Sequence, residues 1–121
     1  MTDSQIIDPQ ALERLREWGG EKLAGQMVRL FLKNSGTRME QIRTGTETGD
    51  VDEAERGSHS LKSSAANVGA ELLRMLATRV ESAALEQDVD GLRAALPELE
   101  VAYAAAITEL EEIERGMPNE S

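Results

Sequence analysis

With 121 residues the chain has the length of one ordinary domain, enough for a single core. Hydrophobic residues make up 40%, yet Trp18, Phe31 and Tyr103 are the only aromatics, so the core must be built from Leu, Ala, Val, Ile and Met, a palette that favours helices. A formal net charge of −10 argues against nucleic acid and anionic membrane surfaces as partners, and the lack of cysteine excludes disulfides, thiol chemistry and Cys-based metal sites.

In chain order, Asp8 caps a first short helix with Pro9 at its first position, and Leu12 and Leu15 face inward. Gly19-Gly20 ends it. A second helix is expected from about Glu21 to about Thr44, with Leu23, Met27, Leu30, Phe31, Met39 and Ile42 near helical period. Asn34-Ser35-Gly36 is a weak centre where a kink is expected, and Thr44–Gly49 reads as a loop. Asp50 caps a third helix, with Glu53 at capping-box spacing. Its stripe is Val51, Ala54, Ser58, Leu61, Ala65 and Val68, and Gly69 stops it.

The fourth helix carries Leu73, Leu76, Ala77, Val80 and Ala84, and Asp88–Gly91 reads as a turn. A last segment carries Leu99, Tyr103, Ala106, Leu110 and Ile113. Pro97 is expected to open that segment or to kink it away from a short Leu92–Leu96 turn. With no alternating strand pattern, the fold class is all-α: an antiparallel four-helix bundle with a short extra N-terminal helix. Residues 1–121 are expected to form one domain, with 1–6 and 116–121 frayed. The N-terminus lacks a signal-peptide pattern and no apolar run spans a bilayer, so a soluble, cytoplasmic protein is expected.

The chemistry concentrates in Gly57-Ser58-His59-Ser60-Leu61-Lys62-Ser63-Ser64-Ala65-Ala66-Asn67-Val68-Gly69-Ala70, which holds the only histidine. On a helical wheel His59 falls about 130° from the centre of the apolar arc, so the ring should face solvent. Lys62 and Ser63 lie one turn beyond it, and Glu55 one turn before. A free imidazole is mostly neutral near pH 7 and nucleophilic. A phosphoryl group on one ring nitrogen would add negative charge that Lys62 can offset. Gly57, Ser60, Ser63, Ser64 and Ala66 keep the surface low, so that a partner can approach. Positioning and electrostatics are what in-line phosphoryl transfer needs.

The string from His59 to Ala70 resembles the signature of histidine-containing phosphotransfer (HPt) domains: Ala-His-x-Leu-Lys-Gly, then small residues, then an apolar residue and Gly-Ala. Ser58 stands for the alanine and Ser63 for the first glycine, both small. Leu30-Phe31, Gly49-Asp50, Val80-Glu81 and Leu96-Pro97-Glu98-Leu99 extend the resemblance over most of residues 7–110. The resemblance implies a four-helix bundle that takes a phosphoryl group from a receiver-domain aspartate and passes it to another. It makes His59 the phospho-site and Lys62 the phosphate support, with Ser63, Ser64, Ala66 and Asn67 bordering the docking surface. It further implies no ATPase or kinase activity, no cofactor, Mg²⁺ on the receiver partner alone, and a monomer that meets response-regulator receiver domains or a hybrid histidine kinase.

Blander readings stand beside these. Asn67 and Gly69 serve helix termination, Phe31 serves the core, and Arg56, Arg74 and Arg79 are solvated. The alternative function is a non-catalytic module that binds or titrates a receiver or kinase. An ATP-using enzyme has no support, since no phosphate-binding glycine loop is present.

Overall fold

Helix α1 (Pro9–Thr48) begins as its sequence dictates: the Asp8 carboxylate accepts a hydrogen bond from the Gln10 N–H at 3.0 Å, and Pro9 occupies the first turn. The computed structural model describes residues 6–118. The expected break at Gly19-Gly20 is there. Gly19 (φ −143°) and Gly20 (φ 73°, ψ −171°) leave helical geometry, and the second conformation suits glycine. The short leading segment and the long remainder thus form one element bent at that point.

Beyond the bend the structure corrects two expectations. No break occurs at Asn34–Gly36, and Thr44–Thr48 is helix rather than loop. The reason is packing. The buried stripe runs through Ala24, Val28, Phe31, Ser35, Met39, Ile42 and Thr46, so it includes weak helix formers that look like punctuation. The Ser35 hydroxyl is bonded to the Tyr103 hydroxyl of the last helix at 3.0 Å, and the Thr48 hydroxyl donates to the Thr44 carbonyl at 2.8 Å. Phe31, Met39 and Ile42 are buried as expected, but before them Ala24 and Val28 take the buried places expected of Leu23 and Met27, and Leu30 is half exposed rather than in the core.

Helix α2 (Val51–Val68) is capped by Asp50, whose side chain accepts from the Glu53 N–H at 3.2 Å. Ala54, Ser58, Leu61, Ala65 and Val68 are buried, as their spacing requires. Ser58 satisfies its hydroxyl on the Glu55 carbonyl at 3.1 Å, so a serine fits a fully buried position. Gly69 ends the helix at φ 80°. Its carbonyl accepts from the Asp8 N–H at 2.8 Å, and a Cβ there would lie 2.7 Å from the Asp8 carbonyl oxygen. This contact seats the N-terminal segment on the end of α2.

Helix α3 (Glu71–Leu85) leads through residues 86–88 to α4 (Val89–Arg115), which Asp88 caps through the Gly91 N–H at 2.9 Å. The expected turn at 88–91 is therefore already the start of α4. The helix also runs unbroken through Pro97, which corrects the expectation of a separate last segment. Leu92, Ala95, Leu99, Ala102, Ala106 and Leu110 form one buried stripe across it. Pro97 and Arg93 both lie on the exposed side, where an unbonded carbonyl is hydrated.

Short links between consecutive helices force an antiparallel arrangement, and α4 closes against α1. The all-α four-helix bundle is thus as expected. One aliphatic core, with Phe31 as its buried aromatic, runs the length of the bundle. Residues 1–5 and 119–121, where most of the expected fraying falls, lie outside the described residues; Ile6 and Met117 pack against the core.

Candidate functional site

His59 projects from the middle of α2, opposite that helix's buried stripe, and its side chain is 60% exposed. The ring is bare to water on one side and anchored on the other. Its Nδ1 lies 2.8 Å from Oε2 of Glu81 on α3. Oε1 of the same carboxylate accepts from the Lys62 ammonium at 2.7 Å. Glu81 continues α3's inward face beside Val80 and is only 11% exposed in its side chain.

Burial pushes the Glu81 carboxyl upward, but the hydrogen bonds from Lys62 and His59 and their charges outweigh it. The group is held below its ordinary value of 4.5 and is therefore ionised near neutrality. An ionised carboxylate only accepts, so Nδ1 carries a proton, and in the neutral ring Nε2 holds the free lone pair. That is the arrangement of a ring whose outer nitrogen can attack.

A groove of about 510 Å³ between α1 and α2 borders the ring. His59, Ser60, Ser63, Ser64 and Asn67 form its α2 wall. Ala66 is exposed but does not line this groove. The opposite wall comes from α1, with Met27, Leu30, Phe31, Asn34 and Arg38 among its residues. Gly57 is buried where α1 and α2 cross, rather than on the open surface: a Cβ there would sit 2.9 Å from the Gln41 Cβ and 3.0 Å from the Arg38 carbonyl.

Of the residues expected from the sequence at the site, His59, Ser63, Ser64 and Asn67 line the groove, and Lys62 meets His59 through the shared Glu81 carboxylate. It missed the role of Glu81, which it noted only as part of a similar string; a lone Glu on a helix that is otherwise Leu, Ala and Val at buried positions was the available signal. It also missed Arg38 and the exposed Leu30. Lys62 is already engaged with Glu81, so it would serve a phosphate by sharing or exchanging partners. Arg56, Arg74 and Arg79 pair with Glu53, Glu71 and Glu98, outside the site.

Glu55, His59 and Glu81 bring ligand-type atoms within 4.8 Å of one another. One imidazole and two carboxylates are donors a divalent cation accepts, but Lys62 and the ring N–H already occupy both oxygens of Glu81. Among the described residues no helix is long and apolar enough to cross a membrane.

The Hpt domain family model matches residues 26–115. In three dimensions the chain is similar to histidine-containing phosphotransfer protein B (HptB) from Pseudomonas aeruginosa PAO1. The TM-score is 0.87 at 20% identity, over 96% of this chain and 100% of that one. It is also similar to the histidine-containing phosphotransfer protein ZmHP2 from maize, with a TM-score of 0.71 at 23% identity, over 88% of this chain and 86% of that one. At such identities these likenesses bear on the fold. No curated protein sequence matched the chain.

Proposed function

As the chain belongs to the Hpt family and is a phosphorelay intermediate, we propose that His59 carries the phosphoryl group, on Nε2. Proteins of this family work with receiver domains and kinases of two-component systems, and this one is a phosphotransfer carrier. The observation that carries the assignment is the ring itself: 60% exposed, fixed through Nδ1, and bordered by a groove with small residues on the histidine side.

A receiver-domain aspartyl phosphate docks over that groove. The exposed Leu30, with Met27 beside it, offers apolar contact, while Ser63, Ser64 and Asn67 let the partner's backbone come close. Nε2 attacks in line, and Lys62 swings its ammonium toward the arriving phosphoryl oxygens. Ala66, outside the groove, borders the docking area. The reverse reaction delivers the group to a second receiver. The protein needs no ATP site and no cofactor for this, and Mg²⁺ belongs to the receiver. It acts as a monomer in the cytoplasm.

Incubation with a labelled phospho-receiver tests the assignment. Acid-labile, base-stable label is expected on the wild type and none on His59→Gln. Lys62→Ala should slow labelling by about tenfold, the value of one charge-assisted hydrogen bond. Label undiminished in His59→Gln sinks the assignment.

A further inference from the structure

We propose that Arg38, on the α1 wall of the groove, is a second phosphoryl-binding cation: its guanidinium holds the group carried by His59 from the side opposite Lys62. This rests on His59 being the phospho-site.

Charge is unevenly placed in this chain. It holds 23 acidic residues against 13 basic ones, yet no carboxylate is among the described residues that line the groove. Arg38 is there instead, and apart from His59 it is the only ionisable side chain of that lining. Its tether is weak. It donates to the Gln41 amide oxygen at 3.1 Å, and among the described residues it makes no ion pair. Arg29 and Arg43 on the same helix are held by Glu114 and Glu100. Lys62 is held too, by Glu81 at 2.7 Å. To meet a phosphoryl group Lys62 must share or leave an ion pair, whereas Arg38 gives up one hydrogen bond to a neutral amide.

The fold roots this side chain beside the ring. Helix α2 packs against α1 on one side and α3 on the other. Lys62 turns toward α3 and its Glu81, and Arg38 comes from α1. A Cβ on Gly57 would lie 3.0 Å from the Arg38 carbonyl, so α1 touches α2 at that point, two residues before His59.

The formal charges near the ring call for a second cation. Glu55 and Glu81 bring two negative charges and Lys62 one positive. A phosphoryl group adds roughly two more negative charges. Arg38 supplies a further positive charge, and its planar fork can meet two phosphoryl oxygens at once. In the transfer the Nε2 lone pair forms the N–P bond, and the P–O bond to the receiver aspartate breaks, its electron pair leaving with that carboxylate. Arg38 enters neither bond and gives up no proton; it orients oxygens that stay on phosphorus throughout.

Phosphoramidate, a small phosphoryl donor, tests this without a receiver. In ¹H–¹⁵N spectra of the full chain the Arg38 Nε–H signal, identified by its absence from Arg38→Gln, should move on phosphorylation and return when the label is hydrolysed. Phosphoramidate and a phospho-receiver should both label Arg38→Gln about three- to tenfold more slowly than the wild type, with Arg38→Lys in between. An Arg38 signal that stays in place on the labelled protein overturns the proposal and leaves His59 as the phospho-site. So does Arg38→Gln slowed with the receiver alone, which would assign the guanidinium to the partner's acidic surface. A wild type that neither donor labels defeats the His59 assignment, and the Arg38 proposal with it.

Discussion

At His59 and its neighbours, burial and charge are divided unequally: the ring is open to water, while the carboxylate that holds it is not. This makes Glu81 a contributor to acid sensitivity. Its carboxyl is depressed in the folded protein, so its stabilisation is present above the ordinary value of 4.5 and is lost as pH falls through the lower folded value. Urea midpoints should therefore fall less steeply in Glu81→Gln than in the wild type as pH drops below about 5, and run parallel above it. Parallel curves down to pH 3 would show that the pair adds nothing to folding. His59 could be picked from sequence because its string and its wheel position agree. Glu81 could not, because the partner of a buried carboxylate lies on another helix, nineteen and twenty-two residues away in the two hydrogen bonds.

The elements show a similar division between local and distant causes. Both caps found by pattern are made in the structure: Asp8 and Asp50 each accept from a first-turn N–H, and Asp88, read from the sequence only as part of a turn, caps α4 in the same way. The errors fall where small or polar residues sit in a helix for the sake of a neighbour. Gly45 is the clearest. A Cβ there would lie 2.6 Å from the Ala54 backbone nitrogen and 2.8 Å from the Asp50 carbonyl, so α1 stays helical with a glycine that lets the start of α2 approach. Gly45→Ala gains about 1 kcal/mol in helix propensity but overpacks a backbone contact, at a cost of about 1–3 kcal/mol. A net loss of about 1 kcal/mol is expected by urea unfolding; a gain would mean that the two helices can slide apart freely. Pro97 misled in the same way, since an exposed position inside α4 tolerates what a buried one would not.

For the whole molecule, two ion pairs between α1 and α4 lie away from the site. Arg43 grips Glu100 with two hydrogen bonds of 2.6 and 2.7 Å, and Arg29 reaches Glu114 at 3.2 Å. The first pair is about one-third exposed, so it contributes little on its own. The net charge of −10 also acts at this scale. In the proposed docking mode the partner's phosphorylation site is itself acidic, so little long-range attraction is expected and the groove's apolar contacts are left to carry docking. The association rate with a receiver domain should rise by no more than about twofold when salt is lowered from 0.15 to 0.01 M. A steep rise would point to a basic partner surface or to a dominant role for Arg38.

Helix caps, hydrophobic periods and the neighbourhood of one histidine are properties of residues within a turn or two of each other, and the chain's letters alone were enough to specify them along with the bundle. Which side of α1 is buried, whether Thr44–Thr48 and Pro97 interrupt a helix, and which carboxylate holds the imidazole depend on contacts between helices. Those contacts exist only after the bundle closes, because a residue's burial and its hydrogen-bond partner are set by what packs against it.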